Sequence, residues 1–141
     1  MANNQQYVNK RDAAENGAKA LLEKFKAEWV TVGPDKACVE FCDELANIFA
    51  SQQLSSTFIR NIYGEMVRIQ AGGFDNHTAD FYLLRPKVAY AVKRSDKDYI
   101  AKYYSQLYNN MADAVTTATH YENLVKIAEA IIAYHKTYYD K

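Results

Sequence analysis

The chain has 141 residues, of which 49% are apolar and 24% are charged, and its formal net charge is zero. This composition is typical of a folded soluble protein with one hydrophobic core, and it excludes a disordered tail. No apolar run approaches the ~18 residues that a membrane span requires, and the polar N-terminus lacks the apolar segment of a signal peptide, so the sequence predicts a cytoplasmic protein without a membrane partner.

The amino-acid usage favours helices over strands. Five glycines and two prolines are too few for the many tight turns of an all-β fold. Runs rich in Ala, Leu, Glu and Lys favour helices instead. The sequence therefore predicts an all-α protein in which residues 1–141 form a single compact bundle of about five helices, with residues 1–10 frayed.

Two helices are predicted in the first third of the chain. Apolar side chains recur at helical spacing in residues 11–30, which predicts a first helix that stops near Gly33 and Pro34. The chain restarts at Asp35, and an apolar stripe predicts a second helix through Ser51. Because acidic residues concentrate in its first half, we expect the outer face of this helix to be solvated or to face a partner, and not to bind RNA.

The two cysteines, Cys38 and Cys42, lie one helical turn apart in this second helix. A structural zinc site needs about four ligands, and the three histidines offer no partner pair at a suitable spacing. We therefore expect two buried, reduced thiols on the inner face of the helix.

Residues 54–70 predict a third helix with one broad apolar face. Ser55 or Ser56 is a suitable N-cap, and Gly72 and Gly73 are a natural stop.

On the opposite side of this helix, Arg60, Gly64 and Arg68 recur at i, i+4 and i+8. The two guanidinium groups lie about 12 Å apart along the helix axis, so they could bind a chain of phosphates. The alternative is that both are ordinary solvated residues, which are common on exposed helix faces.

Residues 78–94 predict a fourth helix that contains Pro86. Proline removes one backbone donor, so the sequence predicts a kink or a short break at residues 84–85. Val88, Ala89 and Val92 are expected to face the core.

Basic side chains follow Pro86 in the same helix. Lys87 and Arg94 share one stripe, flanked by Arg85 and Lys93. Tyr90 lies beside this stripe, where it could pack inward or stack on a base, and packing is the commoner role for a lone tyrosine. Residues 54–102 hold eight Lys/Arg against five Asp/Glu, a net charge of +3, so a neutral chain can still present one basic side to phosphates.

Two further helices complete the prediction. Ser95 or Asp96 is expected to cap a helix that runs to about residue 119, and a last helix spans residues 121–138. We expect His135 to be a partly buried, hydrogen-bonded residue and not a ligand.

The sequence predicts no enzyme. It contains no phosphate-binding loop, dinucleotide-binding fingerprint, zinc-protease helix, nucleophile elbow or EF-hand loop. Asp75 and His77 lie in a loop, but no nucleophile or further carboxylate stands at a spacing that would complete a catalytic site. We therefore expect no catalytic residues, no cofactor and no metal site.

Three motifs occur in a fixed order: SSTFIR at residues 55–60 followed by Tyr63, LRPKVAYAVKR at residues 84–94, and EAIIAYHK at residues 129–136. Their sequence and spacing resemble the small subunit of type III-A CRISPR effector (Csm) complexes. The resemblance covers roughly residues 35–139.

This resemblance implies a five-helix bundle that acts in several copies. The small subunits of that family form an inner filament and, with the repeated backbone subunits, enclose the guide RNA and its target RNA. RNA cleavage belongs to the backbone subunit, and DNA cleavage and cyclic oligoadenylate synthesis belong to the large subunit. The family's basic helix residues carry over here as Arg60, Arg68, Lys87 and Arg94, with Lys93 as a further candidate.

Two functions remain open from the sequence. The first is a non-catalytic subunit for antiviral defence, which binds the guide RNA–target RNA backbone without sequence specificity and contacts the backbone subunits, the large subunit and other copies of itself. The alternative is a purely structural interaction module, whose basic residues contact acidic surfaces of other subunits without touching RNA.

Overall fold

The computed structural model describes the backbone of residues 2–139 and the side chains of residues 10–139. These residues form seven α-helices and no strand, which confirms the all-α class. The helices are α1 (Ala2–Glu23), α2 (Glu28–Thr31), α3 (Lys36–Ser51), α4 (Ser56–Gly72), α5 (Thr78–Arg94), α6 (Asp98–Asp113) and α7 (Ala118–Tyr139), with a 3-10 turn (Phe74–Asn76) between α4 and α5. Among the described residues, no helix combines the length and the hydrophobicity needed to cross a bilayer.

The prediction of about five helices is not confirmed, and the first predicted helix shows one reason. Residues 11–30 are divided: α1 ends at Glu23, and the one-turn helix α2 restarts at Glu28. The side-chain amide of Asn123 in α7 donates to the carbonyl of Val30 across 2.8 Å, and this contact ties the short helix α2 to α7. A contact between residues so distant along the chain leaves no trace in local periodicity. Residues 2–10 are helical, and their fraying stays a prediction.

Helix α5 runs without a break through Pro86, so the short break predicted at residues 84–85 is absent and a kink is not confirmed. The carbonyl that loses its donor at Pro86 belongs to Tyr82, four residues earlier. Tyr82 is 71% exposed, so the missing donor falls on the solvent side of the helix and not in the core.

The predicted bounds of α3, α4 and α5 are correct. Asp35 caps α3 by accepting from the backbone N–H of Cys38 (2.8 Å), and Ser55 caps α4 by accepting from that of Phe58 (3.1 Å). Gly73 follows α4 with φ +88°, a conformation that favours glycine. The predicted cap of α6 is wrong, because that helix begins at Asp98 and its N-cap, Lys97, makes no side-chain capping bond. Its predicted end near residue 119 is wrong as well, because α6 ends at Asp113 and α7 begins at Ala118.

Helix α7 occupies the centre of the bundle and packs against α3, α4 and α2. Cys38 and Cys42 are buried and reduced on the inner face of α3, as predicted. The hydrogen bond with Cys38 and then burial raise the pKa of the Cys42 thiol, which keeps it protonated and unreactive at neutral pH.

Three buried or nearly buried polar side chains of α7 donate hydrogen bonds to backbone carbonyls of other segments. The Tyr121 hydroxyl donates to Met66 of α4 (2.7 Å), and His135 Nε2 donates to Leu54 (2.8 Å) in the loop before α4. Asn123 supplies the third of these bonds. The expectation that His135 is hydrogen-bonded is confirmed, although it is fully buried and not partly buried.

Replacing Asn123 by Ala should destabilise the fold. The substitution leaves the Val30 carbonyl buried without its donor, which costs about 1–3 kcal/mol of the free energy of unfolding. Urea unfolding followed by circular dichroism measures the change. The matched control is Asn110→Ala on the exposed side of α6; equal stability of the two variants would contradict the assigned role of Asn123.

Candidate nucleic-acid interface

The five predicted basic residues are all exposed, and they lie on two helices that pack against each other. Arg60 and Arg68 project from α4, and Lys87, Lys93 and Arg94 project from α5. Because both helices are anchored in the core, these cations are held on rigid elements and not on loops.

Glu65 of α4 joins two of these cations. Its Oε2 accepts from Arg68 Nη2 at 2.9 Å and from Arg68 Nε at 3.2 Å, and it lies 3.9 Å from Lys87 Nζ. The hydrogen bond raises the pKa of Arg68, so the guanidinium remains charged. The structure therefore brings Arg68 and Lys87 together, but around a carboxylate that the sequence interpretation did not include.

A second carboxylate lies close to the same cations. Asp80 Oδ2 is 2.9 Å from His77 Nδ1, and this hydrogen bond lowers the pKa of Asp80, assisted by the charges of Arg68 and Lys87. Asp80 is therefore ionised at neutral pH. Together with Glu65, it offsets part of the positive charge at this end of α4 and α5.

A polar groove lies between α4 and α5, mainly along the first half of α4 and the second half of α5. One section, about 390 Å³ in volume, is lined by Arg94 with Ser55, Thr57 and Asn61 among others. A second section of about 390 Å³ is lined by Lys87 and Glu65. Both sections share Asn61 and Ala91, so they adjoin each other along one open channel; Lys87 and Glu65 line one section, and Arg94 and Asp96 line the other.

Arg60 lies on the side of α4 that faces α7, away from α5. It lines a hollow of about 310 Å³ between α4 and α7, together with Ser56 and Lys136. The Ser56 hydroxyl is buried there without a hydrogen-bond partner among the described residues. Lys136 was not a predicted site residue, since 76 positions separate it from Arg60 and only the packing of α7 on α4 brings both to one hollow.

Two orientations on α5 differ from the prediction. Tyr90 is 63% exposed, so its expected packing into the core is wrong, and the guanidinium of Arg94 lies 5.5 Å from its ring centroid. Ala89 is exposed as well, and Ala91 packs against the core in its place. Arg85, which flanks the basic stripe, forms an ion pair with Asp113 of α6 (2.8 Å), so its charge is already paired within the chain.

Gly64 lies between the two α4 arginines and faces open space. A Cβ built at this position would meet no atom within 4 Å outside its own helix turn. A flat, unobstructed helix surface therefore separates Arg60 from Arg68. Among the described residues, no group of three or more His, Cys, Asp or Glu side chains is placed to hold a metal ion.

Comparison with known families agrees with the resemblance noted from the three motifs. The model of the family Csm2 Type III-A matches residues 34–141, well over half of the chain. No curated protein and no solved structure matches the chain. The chain therefore belongs to the Csm2 family of type III-A systems, and this membership implies a small subunit of the CRISPR effector complex that works with the other Csm subunits and the guide RNA.

Proposed function

We propose that this subunit is non-catalytic and holds the backbone of the guide RNA–target RNA pair through the exposed cations of α4 and α5. The observation that supports this proposal best is the channel between these helices, with Lys87 at one end and Arg94 at the other. Arg60 and Lys136 add a cationic hollow on the α7 side of α4. Phosphates could therefore be held on both the α5 side and the α7 side of α4.

The chemistry of this face suits binding without sequence specificity. Arg and Lys side chains on rigid helices bind phosphates by charge and position, and they carry no sequence information directly. Base pairing between guide and target supplies the specificity, so the protein needs only to hold the backbone. A zero net charge is compatible with this role, because the cations are concentrated in the middle third of the chain.

Glu65 makes the affinity of one copy low. A phosphate that binds Arg68 and Lys87 must compete with the carboxylate that already bridges them. Several copies arranged along one RNA would overcome this competition through effective concentration. We therefore propose that binding occurs in the cytoplasm within an inner filament of identical subunits, attached to the backbone and large subunits, and that the free chain binds RNA weakly.

The alternative is a purely structural module in which the same cations contact acidic surfaces of other subunits. Glu65 already bridges Arg68 and Lys87, so these cations can bind acidic side chains as well as phosphates. The two functions predict different losses when the charges of these cations are reversed. Loss of RNA retention indicates RNA contact, whereas loss of co-purification indicates a protein contact.

Reversing the charges of the four main cations should weaken capture of target RNA by the assembled complex by at least about tenfold, because phosphate contacts become repulsive. The residues to be changed to Glu are Arg60, Arg68, Lys87 and Arg94. RNA retention is measured by filter binding on purified complex, normalised to the amount of the small subunit present.

The matched control reverses four exposed lysines outside α4 and α5, which gives the same change in net charge. These are Lys10, Lys19, Lys36 and Lys126. Retention of full RNA capture by the α4–α5 variant would contradict the proposed RNA contact, and loss of its assembly into the complex would support the structural alternative.

Replacing Glu65 by Gln should raise the affinity of the free chain for RNA by about twofold to fivefold at low salt, since it removes a competing charge from Arg68 and Lys87. Fluorescence anisotropy with labelled RNA measures the change. Glu40→Gln on the exposed face of α3 removes the same charge at a remote position. If both variants bind RNA equally well, Glu65 does not compete with phosphate.

A further inference from the structure

Apolar surface is concentrated on the outer face of α5. The described large hydrophobic side chains that are exposed include Tyr82, Leu83 and Tyr90, all in this helix, with Leu83 at 56%. Exposed apolar residues that occur singly need no explanation, but a cluster on one element indicates an interaction surface.

Leu83, Lys87, Tyr90 and Arg94 recur at i, i+4, i+7 and i+11, so they follow one stripe along α5. The stripe alternates apolar and basic side chains. It borders the channel between α4 and α5, because Lys87 and Arg94 also line that channel. A ligand of the stripe must therefore offer both negative charge and an apolar face.

Tyr90 is the centre of this stripe. The guanidinium of Arg94, one turn later, lies 5.5 Å from the ring centroid. This distance is within the range of a cation–π contact, which holds the ring in place from one side. Since Tyr90 is 63% exposed, much of its surface remains free for a second planar group.

The charge around Tyr90 decides between possible occupants. Lys87, Lys93 and Arg94 surround it, and this excess of positive charge opposes a basic partner. An unpaired nucleotide supplies a flat base for the ring and a phosphate for the neighbouring cations, whereas a duplex hides its base faces within the stack.

We propose that Tyr90, supported by Arg94, is a stacking platform for an unpaired RNA base, and that the α5 stripe binds an unpaired nucleotide of the guide or target RNA whose paired neighbours the cations hold. This inference rests on the proposed function, because Lys87 and Arg94 must hold the adjoining phosphates. It goes beyond backbone binding by assigning a base contact to a side chain with no charge of its own.

Two labelled RNAs test the inference, an oligoadenosine about ten nucleotides long and an abasic chain with the same number of phosphates. The full-length chain should bind the oligoadenosine about tenfold more tightly in anisotropy titrations. Tyr90→Leu should remove this preference, and Tyr90→Phe, which keeps the ring, should retain it. The dependence of affinity on salt should be equal for all three proteins, since the phosphate contacts are unchanged.

Each failure has a different meaning. Equal binding of the two RNAs by the wild-type chain overturns stacking but leaves the backbone proposal in place. No binding of either RNA at low salt overturns the base contact, and the capture assay on the assembled complex decides the backbone proposal separately. A Tyr90→Leu variant that binds both RNAs as the wild type does, but no longer co-purifies with the complex, assigns the stripe to a protein partner and overturns the base contact.

Discussion

Three polar side chains of α7 donate to backbone carbonyls that lie in three other segments of the bundle. Tyr121 and His135 fix α4 and the loop before it, and Asn123 fixes the one-turn helix α2. The bonds to Leu54 and Val30 satisfy carbonyls that burial would otherwise leave without a partner, and the bond to Met66 adds a second donor to a carbonyl inside α4. The position of α4, and with it the orientation of Arg60 and Arg68, depends on these bonds as well as on apolar packing.

At several helix ends the predictions from sequence were correct, because the cause was local. Asp35, Ser55 and Gly73 define helix ends through bonds within a few residues, and the pair Cys38 and Cys42 follows from one apolar stripe. They were wrong where a distant contact or exposure to solvent decided, and at the start of α6, where neither Ser95 nor Asp96 is the N-cap. The division between α1 and α2 coincides with a bond to Asn123, and the continuity of α5 at Pro86 fits a missing donor on the solvent side of the helix.

The same distinction between local and distant causes applies to the candidate site. Helical spacing identified five exposed cations, but it could not identify Glu65 as a bridge between α4 and α5, because such a pair depends on how two helices pack. Lys136 was missed for the same reason. Tyr90 was placed incorrectly because a tyrosine beside a basic stripe fits either face, and only the register of α5 on its neighbours exposes the ring.

A weak site on each copy has a physical advantage for the proposed filament. If every subunit held RNA tightly, single copies would be captured by any cellular RNA, since phosphate binding carries no sequence information. Glu65 and Asp80 reduce the local positive charge, so the contribution of each subunit becomes useful when several act on one strand. The acidic residues within the basic face are then consistent with the proposed function, because they keep the affinity of a single copy for RNA low.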